Sequence, residues 1–76
     1  MRTRVTPSRM PEFIAERWIL EEDGRSAIVR LPPGVRVAGL VGIAIRVDGC
    51  DYRCIAAERC PASAMAGRAR LYVESQ

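Results

Sequence analysis

The chain contains no histidine, no lysine and no asparagine. Without histidine there is no imidazole base near neutral pH, so the usual serine–histidine and cysteine–histidine nucleophiles are excluded. Without lysine there is no amine to form a Schiff base. Aromatic side chains are scarce: Phe13, Trp18, Tyr52 and Tyr72 are the whole complement, which leaves few platforms on which bases could stack. No apolar run approaches the ~20 residues that cross a bilayer. No hydrophobic stretch follows the N-terminal arginines in the manner of a signal peptide. Three cysteines, an odd number, fit reduced thiols better than a disulfide framework. These absences lead us to expect a cytoplasmic protein with no membrane association, no cofactor and no enzymatic activity.

What is present is 76 residues of ordinary globular balance, enough for one small domain. All twelve positive charges are arginine, giving a net charge of +3 and a pattern expected of a GC-rich coding background. The charge is divided along the chain. Residues 1–10 carry Arg2, Arg4 and Arg9 and no acid, whereas residues 11–24 carry Glu12, Glu16, Glu21, Glu22 and Asp23 against Arg17 alone. Basic residues dominate again over 25–53. Patches of opposite sign suit a protein partner at least as well as a nucleic acid.

Residues 1–10 are polar, punctuated by proline and without periodicity, and read as a flexible arginine-rich arm preceding a domain over 11–76. Two readings fit residues 11–24. Pro11 suits the first position of a helix that runs to about residue 18 and gives way to a strand, or that runs on to Gly24. Alternatively, Asp23-Gly24 is a two-residue turn pairing Glu22 with Arg25, Leu20 with Ala27 and Trp18 with Val29. Ser26 to Leu31 reads as a strand stopped by Pro32-Pro33-Gly34. From Val35 to Val47 every odd position is apolar or glycine, a period-two stripe that Gly39 and Gly42 would bend.

Asp48-Gly49 is the strongest local signal. A two-residue turn there pairs Val47 with Cys50, Ile45 with Tyr52 and Ile43 with Cys54 on one face, and Arg46 with Asp51 and Ala44 with Arg53 on the other. A slip of one residue would reverse the faces. Pro61 to Gly67 suits a helical turn, and Arg68 to Glu74 a last strand with Ala69, Leu71 and Val73 inward. The sequence thus predicts an α+β or mostly-β fold, with a short N-terminal helix and four or five antiparallel strands forming a small sheet or partial barrel. Its expected core is Trp18, Ile28, Val35, Val37, Ile43, Ile45, Val47, Tyr52, Leu71 and Val73.

Cys50, Cys54 and Cys60 are the only cluster of metal-competent thiols. The words GCDYRC and ERCP resemble pieces of radical-SAM and ferredoxin motifs, in which closely spaced thiolates hold an iron–sulfur cluster. The last gap of five residues departs from both patterns and no fourth cysteine follows, so no activity is carried over. The hairpin register already accounts for Cys50 and Cys54 as small inward residues.

Arginine suits carboxylate and phosphate recognition because its planar fork donates two parallel hydrogen bonds. The candidate binding residues are Arg2, Arg4, Arg9, Arg36, Arg46, Arg53, Arg68 and Arg70, with Tyr72 as a stacking partner on the face of Arg68 and Arg70. The glycines match neither a Rossmann nor a P-loop pattern. We therefore expect a small binding protein, an inhibitor or adaptor of a larger protein or protein–nucleic acid complex. Motif-free bacterial, phage and mobile-element proteins of this size often have such roles, anti-CRISPR proteins among them. An arginine-dependent nucleic-acid-binding barrel and a three-cysteine metal module are the alternatives. A homodimer through an exposed strand edge is compatible with each.

Overall fold

Strand follows strand from Glu12 onward. The computed structural model describes residues 10–60 and 67–75. Within them lie β1 (Glu12–Phe13), β2 (Ala15–Glu21), β3 (Gly24–Arg30), a 3-10 turn (Val37–Leu40), β4 (Ala44–Val47), β5 (Cys50–Arg59) and β6 (Arg68–Ser75). They form one mixed sheet in the order β1-β4-β5-β6-β3-β2, in which only the β1–β4 pair is parallel. The sheet is open, yet its two edge strands are consecutive in the chain, separated by Ile14 alone. The sheet must therefore curl for its ends to be joined by one residue. No helix among the described residues is long and apolar enough to cross a membrane.

The Asp48-Gly49 hairpin has the register that its sequence predicts, from Val47–Cys50 to Ala44–Arg53. Asp48 and Gly49 both take the left-handed conformation, with φ of 53° and 82°, as a turn matching the twist of the two strands requires. The last strand also agrees, with Ala69, Leu71 and Val73 buried. The helical turn expected over 61–67 and the arm over 1–10 fall almost wholly outside the described residues.

The expected N-terminal helix is absent: residues 12–13 and 15–21 are strands, which raises the count from four or five to six. Long-range ladders override local helix preference here. The Arg46 N–H donates to the Pro11 carbonyl at 2.9 Å, and the Asp48 N–H to the Phe13 carbonyl at 3.0 Å. A bulge between Ala15 and Arg17 explains why this strand is hidden in the sequence. One extra residue shifts the alternation, so Phe13 and Ala15 point to the core from odd positions and Trp18 from an even one. The resulting spacing imitates a helix. The β2–β3 turn is also displaced: Glu21 pairs with Gly24 and Trp18 with Ala27, so Glu22-Asp23 is the turn. This register differs from the expected one by two residues, which leaves every side chain on its expected face.

The stripe over residues 35–47 is not one strand. Its first part folds into the 3-10 turn, and Gly42, at φ 89°, turns the chain into β4 while its N–H donates to the Cys54 carbonyl at 2.7 Å. Leu40, an even position, is buried in place of Ile43, which is 38% exposed. Cys50, at the hairpin end, is exposed as well. Ile28, Ile45, Val47, Tyr52, Leu71 and Val73 are buried as expected, whereas Trp18, Val35 and Val37 only cover the core. Ile28 lies outside the main buried cluster, which Phe13, Ala27, Val29, Leu40, Cys54 and Ala69 complete.

Ile45 is fully buried at the centre of this cluster. Ile45→Ala should cost about 2–5 kcal/mol, measured by denaturant unfolding, through lost burial and the cavity left behind. An unchanged midpoint would contradict the hairpin register.

Candidate functional site

The Asp48 side chain reaches across the turn to the strand run that joins the two edges of the sheet. Its Oδ1 accepts the Ala15 N–H at 2.9 Å and its Oδ2 accepts the Trp18 indole N–H at 2.8 Å. These two bonds, the Ala15 amide first, hold the carboxyl below its ordinary range. Trp18 then stands 5.7 Å from Tyr52, ring centre to ring centre, and the Arg25 guanidinium lies 6.0 Å above the Tyr52 ring. Beside the turn is a groove of about 630 Å³ lined by Glu12, Phe13, Ile14, Arg46, Asp48 and Gly49. Ile14 projects there with 79% of its surface exposed, because Phe13 before it is the residue buried in the core. Arg46 donates to Asp51 at 2.8 Å and to Glu12 at 3.2 Å, so both signs of charge rim the groove.

The arginines singled out in the sequence are largely engaged within the chain. The Arg68 guanidinium donates to both oxygens of Glu16, at 2.7 and 3.3 Å, and this bond lowers the Glu16 pKa. Arg70 donates to the Ser26 hydroxyl at 2.8 Å and to Glu21 at 3.4 Å, and its guanidinium covers the Tyr72 ring at 4.7 Å. Tyr72 donates its hydroxyl to Glu58 at 3.1 Å, and desolvation together with that carboxylate pushes its pKa up. Arg53 lies 3.9 Å from Glu74. Arg36 is exposed in the loop before the 3-10 turn, and Arg2, Arg4 and Arg9 lie outside the described residues. A phosphate approaching Arg68 or Arg70 has to displace a carboxylate already in place, and a base has to displace Arg70 from Tyr72.

Cys50 and Cys54 lie on β5 and Cys60 follows its last residue. An extended strand separates Cys50 from Cys54 by about 13 Å and from Cys60 by roughly 30 Å, whereas sulfurs sharing one zinc ion lie within about 4 Å. Among the described residues no group of three or more cysteine, aspartate or glutamate side chains is placed to hold a metal. Cys54 is buried, its thiol donates to the Ala56 carbonyl at 3.4 Å, and burial pushes its pKa up.

The sequence did not point to Ile14, Glu12 or Asp48 as parts of one site. Asp48 had a visible local role in the turn, but its partners are 33 and 30 residues away. The exposure of Ile14 follows only from the strand assignment that the bulge conceals.

Two measurements test this geometry. Ionised Asp48 has a depressed pKa in the folded state, so its stabilising contribution is full above the unfolded value of about 3.9 and is lost as pH falls through the lower folded value. Asp48→Asn keeps a residue that tolerates the left-handed turn but cannot accept both bonds equally, because its amide end meets the indole N–H. Its melting temperature should fall below the wild-type value at neutral pH, and the gap should close as pH falls below about 4. In thiol labelling at neutral pH, Cys50 should react in the native state and Cys54 only on unfolding. No protein-family model matches the chain, and no curated protein or solved structure is detectably similar to it.

Proposed function

We propose that this chain is a non-enzymatic binding protein, an inhibitor or adaptor that occupies a surface of a larger protein or protein–nucleic acid complex. The observation that carries this reading is the groove beside the Asp48-Gly49 turn, whose lining is shared by exposed Ile14 and the Glu12–Arg46 ion pair. An apolar side chain flanked by both signs of charge complements a protein surface. The arginine face of β6 supports the same order of hypotheses, since Arg68 and Arg70 are held by Glu16 and Glu21.

Ile14→Asp is the discriminating variant. At so exposed a position it should alter stability by no more than about 0.5 kcal/mol. Immobilised wild-type chain should retain a stoichiometric protein from a lysate of its native host, and the variant should lose it. Retention of no such protein, together with nucleic-acid binding that falls steeply with salt and weakens on Arg70→Ala, would place the nucleic-acid reading first.

A further inference from the structure

β2 has hydrogen-bonding partners on one side only. It is the last strand in the sheet order, and its ladder to β3 ends at the pair Glu21–Gly24. That pair closes a two-residue turn, so it must exchange both of its main-chain bonds; the other kind of antiparallel pair would require bonds between adjacent Glu22 and Asp23. Counting back in alternation, Ile19 and Arg17 bond to β3, whereas the N–H and C=O groups of Leu20 and Trp18 face away from it. Among the described residues no strand pairs with them.

This edge is protected only in part: the bulge at Glu16 and the charges of Arg17 and Glu21 flank an apolar stretch. Natural edges are blunted by charge, proline or brevity, but here three apolar residues, Trp18-Ile19-Leu20, occupy the middle of the strand. Leu20 is 74% exposed. Arg17 forms no ion pair among the described residues, and Glu21 uses only its Oε1 toward Arg70.

We infer that β2 is a dimerisation edge, through which two copies of this chain pair antiparallel over residues 17–21 about a two-fold axis at Ile19. The symmetry and the outward groups narrow the register. A two-fold axis between residues would set outward-facing groups of one copy against inward-facing groups of the other, so the axis passes through a residue. Centred on Trp18, Leu20 meets Glu16 of the second copy. Centred on Leu20, Ile19 meets Glu21 and Trp18 meets Glu22. Centred on Ile19, Arg17 meets Glu21 and Trp18 meets Leu20, each twice by symmetry, and Ile19 meets its own counterpart once on the axis. Over residues 17–21 only this register matches charge with opposite charge and apolar with apolar, and the like-charged Glu16 and Glu22 meet just outside that span, at the bulge and the turn. It also sets the outward groups of Trp18 and Leu20 directly against each other. The edge is distinct from the groove at 12–14 and 46–49, so Ile14→Asp should leave the dimer intact.

Sedimentation equilibrium of the full chain over a range of concentrations tests the inference. The mass should rise to twice 8.4 kDa. Leu20→Pro removes an N–H that faces away from β3, which leaves the β2–β3 ladder complete, and should raise the dimer dissociation constant about tenfold or more. Arg17→Glu and Glu21→Arg should each weaken the dimer about threefold to tenfold, and the double variant should recover most of the loss. Circular dichroism confirms that the variants fold, and exposed Arg17 keeps the test decisive if proline does not. A wild-type chain that stays monomeric at every concentration overturns the inference, whatever else covers the edge. So does a dimer indifferent to Leu20→Pro in a folded variant, or charge variants that fail to rescue each other.

Discussion

The curled sheet depends on one carboxylate. Asp48 occupies the only left-handed non-glycine position among the described residues and bonds to both Ala15 and Trp18. Aspartate tolerates that conformation, so the turn and the cross-sheet clamp come from a single residue. With the Ala15 amide held, Phe13 stays on β4 and the run after Ile14 stays on β3, which brings the two edge strands together. With the indole held, Trp18 lies against Tyr52 and covers the cluster around Ile45 and Val47. The bonds are exposed to solvent, and their importance is geometric: they fix where strand 12–21 passes from one neighbour to the other.

Arginine has a structural use in this fold that its charge alone would not suggest. Ile28 is buried on the sheet face away from the main cluster, flanked in register by Arg17 and Arg70. Long guanidinium side chains cover such apolar surface with their stems, and the Arg70 head meets Glu21, two strands away on β2. Exposed ion pairs of this kind add little stability each. Their consequence is functional: the positive charge of β6 is already matched by Glu16 and Glu21, and the surface presented outward is of mixed sign. The net charge of +3 therefore overstates how basic this face is. Apolar exposure is greatest at Ile14 and Leu20, on either side of the Glu16 bulge.

The sequence read most clearly where a signal was local. Asp48-Gly49 has neighbours whose apolar and charged residues separate in only one register, and Arg68 to Val73 alternates without interruption. Both elements follow from period-two patterning and turn chemistry. Interruption hid the rest. The bulge at Glu16 moved the inward set from odd to even positions, and a second irregularity between Cys54 and Ala56 moved it from even to odd in β5, from Tyr52 and Cys54 to Ala57. At residues 35–43 the alternation continued in the sequence, but Gly42 at positive φ broke the strand, and Leu40 turned inward.

The sequence by itself determined the missing chemistry of histidine and lysine, the central hairpin, the last strand and the inward face of each. Those depend on residue identity and on contacts a few positions apart. The tertiary structure alone decided that residues 12–21 are extended, that Asp48 holds them, that Ile14 faces a groove and that the Trp18–Leu20 edge is unpaired. Each of these rests on partners some 30 residues away, or on an inserted residue that changes which face a side chain meets. Local propensity carries no information about either.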